Sequence, residues 1–197
     1  MMNLGFLASH RGTNMQAVVD AIREGVLQAR PAVLVCNNRK AEAVLRAEKE
    51  NFPACILNSV THPDPQTLDQ AILAALQNHK CDLVVLAGYM KKLGPETLAA
   101  FRGRIVNIHP ALLPKHGGQG MYGQNIHRAV LEAGETVTGV SIHLVTAEYD
   151  EGRVLAQTEV PVLPGDTVET LAARVLDREH PFLVETLVRI TTGDITL

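Results

Sequence analysis

No segment of the 197-residue chain approaches the roughly 20 uninterrupted apolar residues that a membrane-spanning helix needs. Its start, Met1-Met2-Asn3, lacks the basic residues and apolar stretch of a secretory leader. A cytoplasmic location with no membrane partner is the expectation. Cysteine is scarce, since only Cys36, Cys55 and Cys81 occur, each beside an apolar run. Their odd number and wide spacing form neither a disulfide framework nor a metal knuckle, so reduced core residues and no metal site are expected. A block of single-sign charge is also missing: 18 basic and 21 acidic residues are interspersed and leave a formal charge of -3. That argues against a general nucleic-acid binder. Repeats, linkers and low-complexity tracts are absent too, and residues 1–197 read as a single domain whose 46% apolar content supplies a sizeable core.

What is present is an alternation of short β-branched runs with segments of helical period, the pattern of a parallel sheet covered on both faces. The strands are expected at Leu4 to Ala8, Ala32 to Cys36, Ala54 to Leu57, Leu83 to Ala87 and Arg104 to Ile108. Met15, Val18, Val19 and Ile22 mark the first helix, which stops at Gly25, and Leu68, Ile72 and Leu76 mark the third. Pro95 opens a short helix to Phe101, and Gly134 closes one that begins near Asn125. The rhythm then changes. Thr136 to Val145 and Val154 to Val162 are strand-like and too close for a crossover helix, which implies an antiparallel hairpin at one edge. A long helix from about Thr167 follows, capped by Asp166 with Glu169 three residues on and interrupted by Pro181. The fold class is therefore α/β: a doubly wound, mostly parallel, Rossmann-like sheet with an antiparallel edge hairpin and a long C-terminal helix.

Ser9-His10-Arg11-Gly12-Thr13-Asn14 lies at the turn into the first helix, where free backbone N–H groups and the helix dipole attract an anion such as phosphate. It is neither a nucleoside-triphosphate loop, for want of the Lys-Ser/Thr pair, nor a dinucleotide fingerprint, since Gly12 is its only glycine. A polar turn with Asn14 near the N-cap accounts for the same residues.

Strand period places Asn107 and His109 on one face at the C-terminal end of a central strand, where ligands of open α/β sheets gather. An amide beside an imidazole can donate hydrogen bonds to an oxygen that becomes negative as a carbonyl is attacked, which suits acyl or formyl transfer. Buried side chains satisfied by neighbouring backbone are the plainer alternative. In the edge hairpin, Ser141, His143 and Val145 share a face, and Asp150 sits in the connection within reach of His109. A carboxylate there raises the imidazole pKa and relays a proton, although Asp-Glu-Gly is also ordinary turn chemistry. The glycine-rich run from Lys115 to Gln124 overhangs the same edge as a lid or as a plain surface connection.

Asn107-Ile108-His109-Pro110-Ala111-Leu112-Leu113-Pro114, taken with Asp150, resembles the signature of folate-dependent formyltransferases. Arg11-Gly12-Thr13-Asn14, Val85-Leu86-Ala87-Gly88-Tyr89-Met90 and Arg174 to His180 fall in order as well, so the resemblance spans nearly the whole chain. It implies 10-formyltetrahydrofolate as cosubstrate, glycinamide ribonucleotide of purine synthesis as the small-molecule acceptor, direct attack through a tetrahedral intermediate, no metal, and a monomer or homodimer. It further implies that Asn107 and His109 polarise the formyl group while Asp150 positions His109 and accepts the amine proton. Gly12, Thr13 and Asn14 would hold the phosphate and Glu179 the ribose hydroxyls. Met90, Lys91, Leu93, Thr146, Ala147, Glu148 and Tyr149 would line the pterin pocket, with His143 in a supporting role. Residues 1–103 form the phosphate-binding half and 104–197 the catalytic and folate-binding half.

The chain departs from that pattern in three places: a longer Gly117 to Gln124 stretch, Leu176 where a polar or basic residue is expected, and Thr13 for serine. Arg11 is expected to restore charge at the phosphate. Formyltetrahydrofolate hydrolase and methionyl-tRNA formyltransferase share the Asn-His-Asp centre, but the additional domain that each carries is not expected in 197 residues. A nonenzymatic, nucleotide-binding flavodoxin-like module is the rival from another class, and it leaves the Asn-His-Asp arrangement unexplained.

Overall fold

The computed structural model describes residues 1–197. Seven strands form one sheet in the order β3-β2-β1-β4-β5-β6-β7. These are β1 (Met2–Ala8), β2 (Ala29–Cys36), β3 (Ala54–Ile56), β4 (Leu83–Leu86), β5 (Ile105–His109), β6 (Val137–Leu144) and β7 (Val154–Pro161). The helices are α1 (Thr13–Arg23), α2 (Glu42–Lys49), α3 (Pro65–Asn78), α4 (Pro95–Ala100), α5 (Gln124–Glu132) and α6 (Val168–Thr191). Strands β1 to β5 run parallel, whereas β6 is antiparallel to β5 and β7 to β6.

Period two explains the two-sided core. On β1, Leu4, Phe6 and Ala8 join Met15 and Val18 of α1 and Leu171, Val175 and Leu183 of α6, while Leu7 turns to the other face with Ile72, Leu76 and Phe101. The chain winds from β1 out to β3 and returns to place β4 on the other side of β1. The switch point thus opens a crevice at the C-terminal ends of β1 and β4. Its rims are tied together, since Ser9 N–H donates to the Gly88 carbonyl at 3.1 Å and Met90 N–H donates to Ser9 Oγ at 2.8 Å. Behind that rim, buried Asp69 of α3 accepts from the backbone N–H groups of Glu96 and Thr97 at 2.7 and 3.1 Å and so caps α4.

The long helix corrects two expectations. Its N-cap is Thr167, in a capping box with Thr170, because the Asp166 carboxylate is already engaged by Leu163 N–H at 2.7 Å and by Arg174 at 2.6 and 2.7 Å. Pro181 does not interrupt the helix, which is assigned without a break from Val168 to Thr191. Proline costs one donor, to the carbonyl of Asp177, and that residue is exposed, while Phe182, Leu183 and Leu187 on the following turns stay buried. Strand ends differ by a residue or so, and β2 starts earlier, at Ala29. The cysteines are all free, with Cys36 and Cys81 buried.

Candidate active site

At the β1 end of the crevice, Gly12 is the N-cap of α1 at φ 66. Asn14 lies in the first turn, two residues past that cap. No acidic side chain occupies that turn, which leaves its N–H groups open to an anion. Helix α2 fixes the loop from behind: Ala43 N–H donates to the His10 carbonyl at 3.1 Å, and Arg46 Nε donates to the Arg11 carbonyl at 3.0 Å. A Cβ at Gly12 would sit 2.7 Å from Ala43 Cβ, so both the left-handed φ and the close approach require glycine. Glu179 of α6 is 8% exposed. Burial raises its pKa to about 7 against the opposing pull of the Asn14 side chain.

At the other end, β5 and β6 pair Asn107 with His143 and His109 with Ser141. His143 donates Nδ1–H to the Leu144 carbonyl at 2.9 Å, and its Nε2 lies 3.1 Å from Asn107 Nδ2. His109 donates Nε2–H to the His116 carbonyl at 2.8 Å. Buried Ser141 donates to the Ala111 carbonyl at 2.6 Å and accepts from Leu113 N–H at 3.0 Å, which fixes the chain as it leaves β5.

Asp150 reaches this pair from the β6–β7 connection. Its Oδ2 lies 3.6 Å from His109 Nδ1 and its Oδ1 lies 3.3 Å from His143 Nε2, while Gly118 N–H donates to Oδ2 at 2.9 Å. The connection turns back tightly: Asp150 has φ 58, and a Cβ at Gly152 would lie 1.7 Å from the Leu144 carbonyl oxygen. Burial pushes the Asp150 carboxyl up, but the hydrogen bond with His143, the charge of His109 and the Gly118 N–H more than reverse this, so its pKa falls below the usual value. His109 is held below the usual imidazole range because burial outweighs the opposing influence of Asp150 and the His116 carbonyl. An ionised carboxylate beside a desolvated imidazole is a pair suited to proton transfer.

One cavity of about 960 Å³ joins the two ends. Its walls include Arg11, Gly12, Thr13, Asn14 and Glu179 on one side and Met90, Asn107, His109, Tyr149 and Asp150 on the other. A second cleft of about 80 Å³, behind Tyr149, holds Lys91, Leu93, Thr146, Ala147 and Glu148 together with Asn107, His143 and Asp150. Lys92 spans its lips, 3.9 Å from Glu148 and 5.4 Å from the Tyr149 ring centroid. Every residue expected to carry the reaction, hold the ribonucleotide or line the pterin pocket thus lies at one of these two adjoining spaces. Leu176 lines neither. His143, expected in a supporting role, contacts both Asn107 and Asp150. The glycine-rich segment, expected to overhang this edge, supplies Gln119, Met121 and Tyr122 to the wall of the large cavity, although none of the three stood out individually. No group of three or more His, Cys, Asp or Glu side chains is arranged to hold a metal, and no helix is long and apolar enough to cross a membrane.

Residues 2–187 match a family model described as formyl transferase. A phosphoribosylglycinamide formyltransferase of Haemophilus influenzae is 34% identical over 197 residues, covering 100% of this chain and 91% of that protein. A chloroplastic phosphoribosylglycinamide formyltransferase of Vigna unguiculata is 40% identical over 92% of this chain, which spans only 58% of the plant protein. Among solved structures, glycinamide ribonucleotide transformylase 1 from Symbiobacterium toebii superimposes with a TM-score of 0.93 at 38% identity, covering 100% of this chain and 91% of that one.

Proposed function

The chain belongs to the formyl transferase family, and from that premise we propose that it transfers the formyl group of 10-formyltetrahydrofolate to the amine of 5'-phosphoribosylglycinamide, a step of de novo purine synthesis. The relatives that carry this activity in their names support the choice of substrate. The observation that carries the reading is a single cavity with the anion-ready turn Gly12 to Asn14 and buried Glu179 at one end and Asn107, His109 and Asp150 at the other.

The phosphate sits on the backbone N–H groups that open α1, with the Arg11 guanidinium beside it, and Glu179 accepts from the ribose hydroxyls. Held at both ends, the ribonucleotide presents its amine to the formyl carbon. The pterin occupies the space between Met90, Lys91, Leu93 and the Thr146 to Tyr149 connection. As the amine nitrogen bonds to the formyl carbon, the carbonyl oxygen gains charge, and Asn107 and His109 each donate an N–H to it, worth about 3 kcal/mol per donor. Asp150 takes the amine proton through a water. The intermediate then collapses by breaking the bond from carbon to folate N10, which leaves with a proton. No covalent bond to the enzyme is formed.

The test is transfer of formyl from 10-formyltetrahydrofolate to glycinamide ribonucleotide, with formate measured in parallel. Formylated ribonucleotide that appears only when the amine is supplied supports the reading. Release of formate at the same rate with or without the amine replaces it with the hydrolase, and no turnover at all leaves the nucleotide-binding module.

A further inference from the structure

The glycine-rich segment does more than overhang the cavity. An imidazole offers two nitrogens, and on His109 both face a protein partner: Nδ1 faces Asp150 at 3.6 Å, and Nε2 donates to the His116 carbonyl at 2.8 Å. A backbone carbonyl only accepts, so His116 occupies the donor that a formyl oxygen requires. Two residues on, Gly118 N–H donates to Asp150 Oδ2 at 2.9 Å and so takes one of the lone pairs that would otherwise face an attacking amine or its relay water. The segment thus presents one oxygen to His109 and one N–H to Asp150, the same pair of partners that the two substrates present.

This placement is built, not incidental. His116 at φ 54 and Gly118 at φ 94 both lie in left-handed backbone, which turns the carbonyl and the N–H inward. Gly117 between them is seated closely, since a Cβ there would lie 2.5 Å from Leu113 Cδ2 and 3.3 Å from Asp150 Cβ. On the outer side a single carboxylate holds the segment down. Glu135, in the turn from α5 to β6, contacts Lys115 Nζ at 2.9 and 3.2 Å and His116 Nε2 at 3.4 Å. Nothing in the reaction itself uses Glu135, and it does not line either cavity.

We infer that residues 115–118 form a latch that occupies the catalytic pair, that Glu135 holds the latch shut, and that the latch must swing away before the substrates can engage His109 and Asp150. Glu135 is thereby a positioning residue that acts through the backbone of its neighbours. The inference rests on the roles proposed above for His109 and Asp150.

The experiment compares wild type with Glu135→Ala, Glu135→Gln and Lys115→Ala, each first checked for an unchanged melting temperature. With 15N-labelled histidine, the solvent exchange of the His109 Nε2 proton reports the open fraction directly and needs no substrate. Binding of 10-formyltetrahydrofolate in the absence of the amine gives Kd, which varies inversely with the same open fraction. Loss of the weakly screened contacts to Lys115 and His116 predicts exchange that is faster by about two- to fivefold in Glu135→Ala, with Kd lower by the same factor. Glu135→Gln, which still accepts from Lys115, falls between that variant and wild type. Should Glu135→Ala fail to fold, Lys115→Ala, an exposed side chain, carries the test in the same direction. Unchanged exchange overturns the latch. Faster exchange with an unchanged or weaker Kd also overturns it, because the segment is then a support the bound state needs. If the variants show these differences while the wild type transfers no formyl group, the proposed function is refuted and the segment stands as a latch over His109 and Asp150.

Discussion

The Nε2 atom of His143 lies 3.3 Å from Oδ1 of Asp150. That contact joins β6 to the connection beyond it and closes a chain of side chains that runs from Asn107 through His143 and Asp150 to His109. The His143 ring is anchored from behind by the Leu144 carbonyl, so its position is set by the strand. Through it, the strand holds an amide and a carboxylate in fixed relation.

His143→Ala is therefore expected to lower kcat by at least about tenfold, less than the loss of the acid–base group itself. It should also move the acid side of the pH profile. The hydrogen bond with His143 holds the Asp150 pKa down, and the carboxylate form is the one that accepts a proton, so rate is lost as pH falls through that pKa. Without His143 the pKa rises, and the loss begins at a higher pH. An acid limb that stays in place while kcat falls would make His143 a packing residue only.

Asn107→Ala and His109→Ala are each expected to lower kcat by about a hundredfold or more, the cost of losing one preorganised donor to the oxyanion. KM for the ribonucleotide should change little, because the phosphate turn lies at the other end of the cavity. Near-normal turnover in both variants, with circular dichroism unchanged, would remove them from the reaction.

Much of this centre was legible because a period of two alone decides that Asn107 and His109 share a face and that β5 ends at the ligand edge of the sheet. The contact of Asp150 was not, since it depends on two features that no local pattern carries. One is the irregularity in the β6–β7 register between Ile142 and His143, and the other is the backbone approach at Gly152 that folds the connection inward. The cap of α6 slipped by one residue for a similar reason. Asp166 has the right chemistry for a cap, but Arg174, two turns into the helix, claims its carboxylate. The parallel part of the fold followed from the alternation of strand and helix before Gly134, and its antiparallel edge from the change of rhythm after it.

Glu179 makes stability depend on pH in a defined window. Its pKa is about 7 in the folded chain against 4.5 as the ordinary value, so the folded state binds more proton between those values. Stability is then lost as pH rises from about 4.5 to 7, by on the order of 3 kcal/mol for this group. Glu179→Gln, which cannot ionise, should lose less across that interval in urea melts at pH 5 and pH 7.5. Parallel pH dependence in the two proteins would mean that burial does not govern this carboxyl.

The phosphate turn gives the sharpest test of substrate choice, because two physical costs at Gly12 can be separated there. Gly12→Ala places a methyl group 2.7 Å from Ala43 Cβ and forces alanine to φ 66, at a conformational cost of about 1 to 2 kcal/mol. Shifting the turn in this way should raise KM for the ribonucleotide by about tenfold. Gly12→Asp adds a negative charge where the helix N-terminus must accept the phosphate, so its effect should be larger by at least a further order of magnitude. Kd for 10-formyltetrahydrofolate is the internal control and should stay within about twofold in both, since a remote site with no shared partners responds independently. Adding Ala43→Gly removes the methyl contact and should recover part of the affinity of Gly12→Ala while leaving Gly12→Asp impaired, because only the first defect is steric. If Ala43→Gly rescued both variants equally, charge at this turn would play no part, and an anionic substrate there would have to be given up.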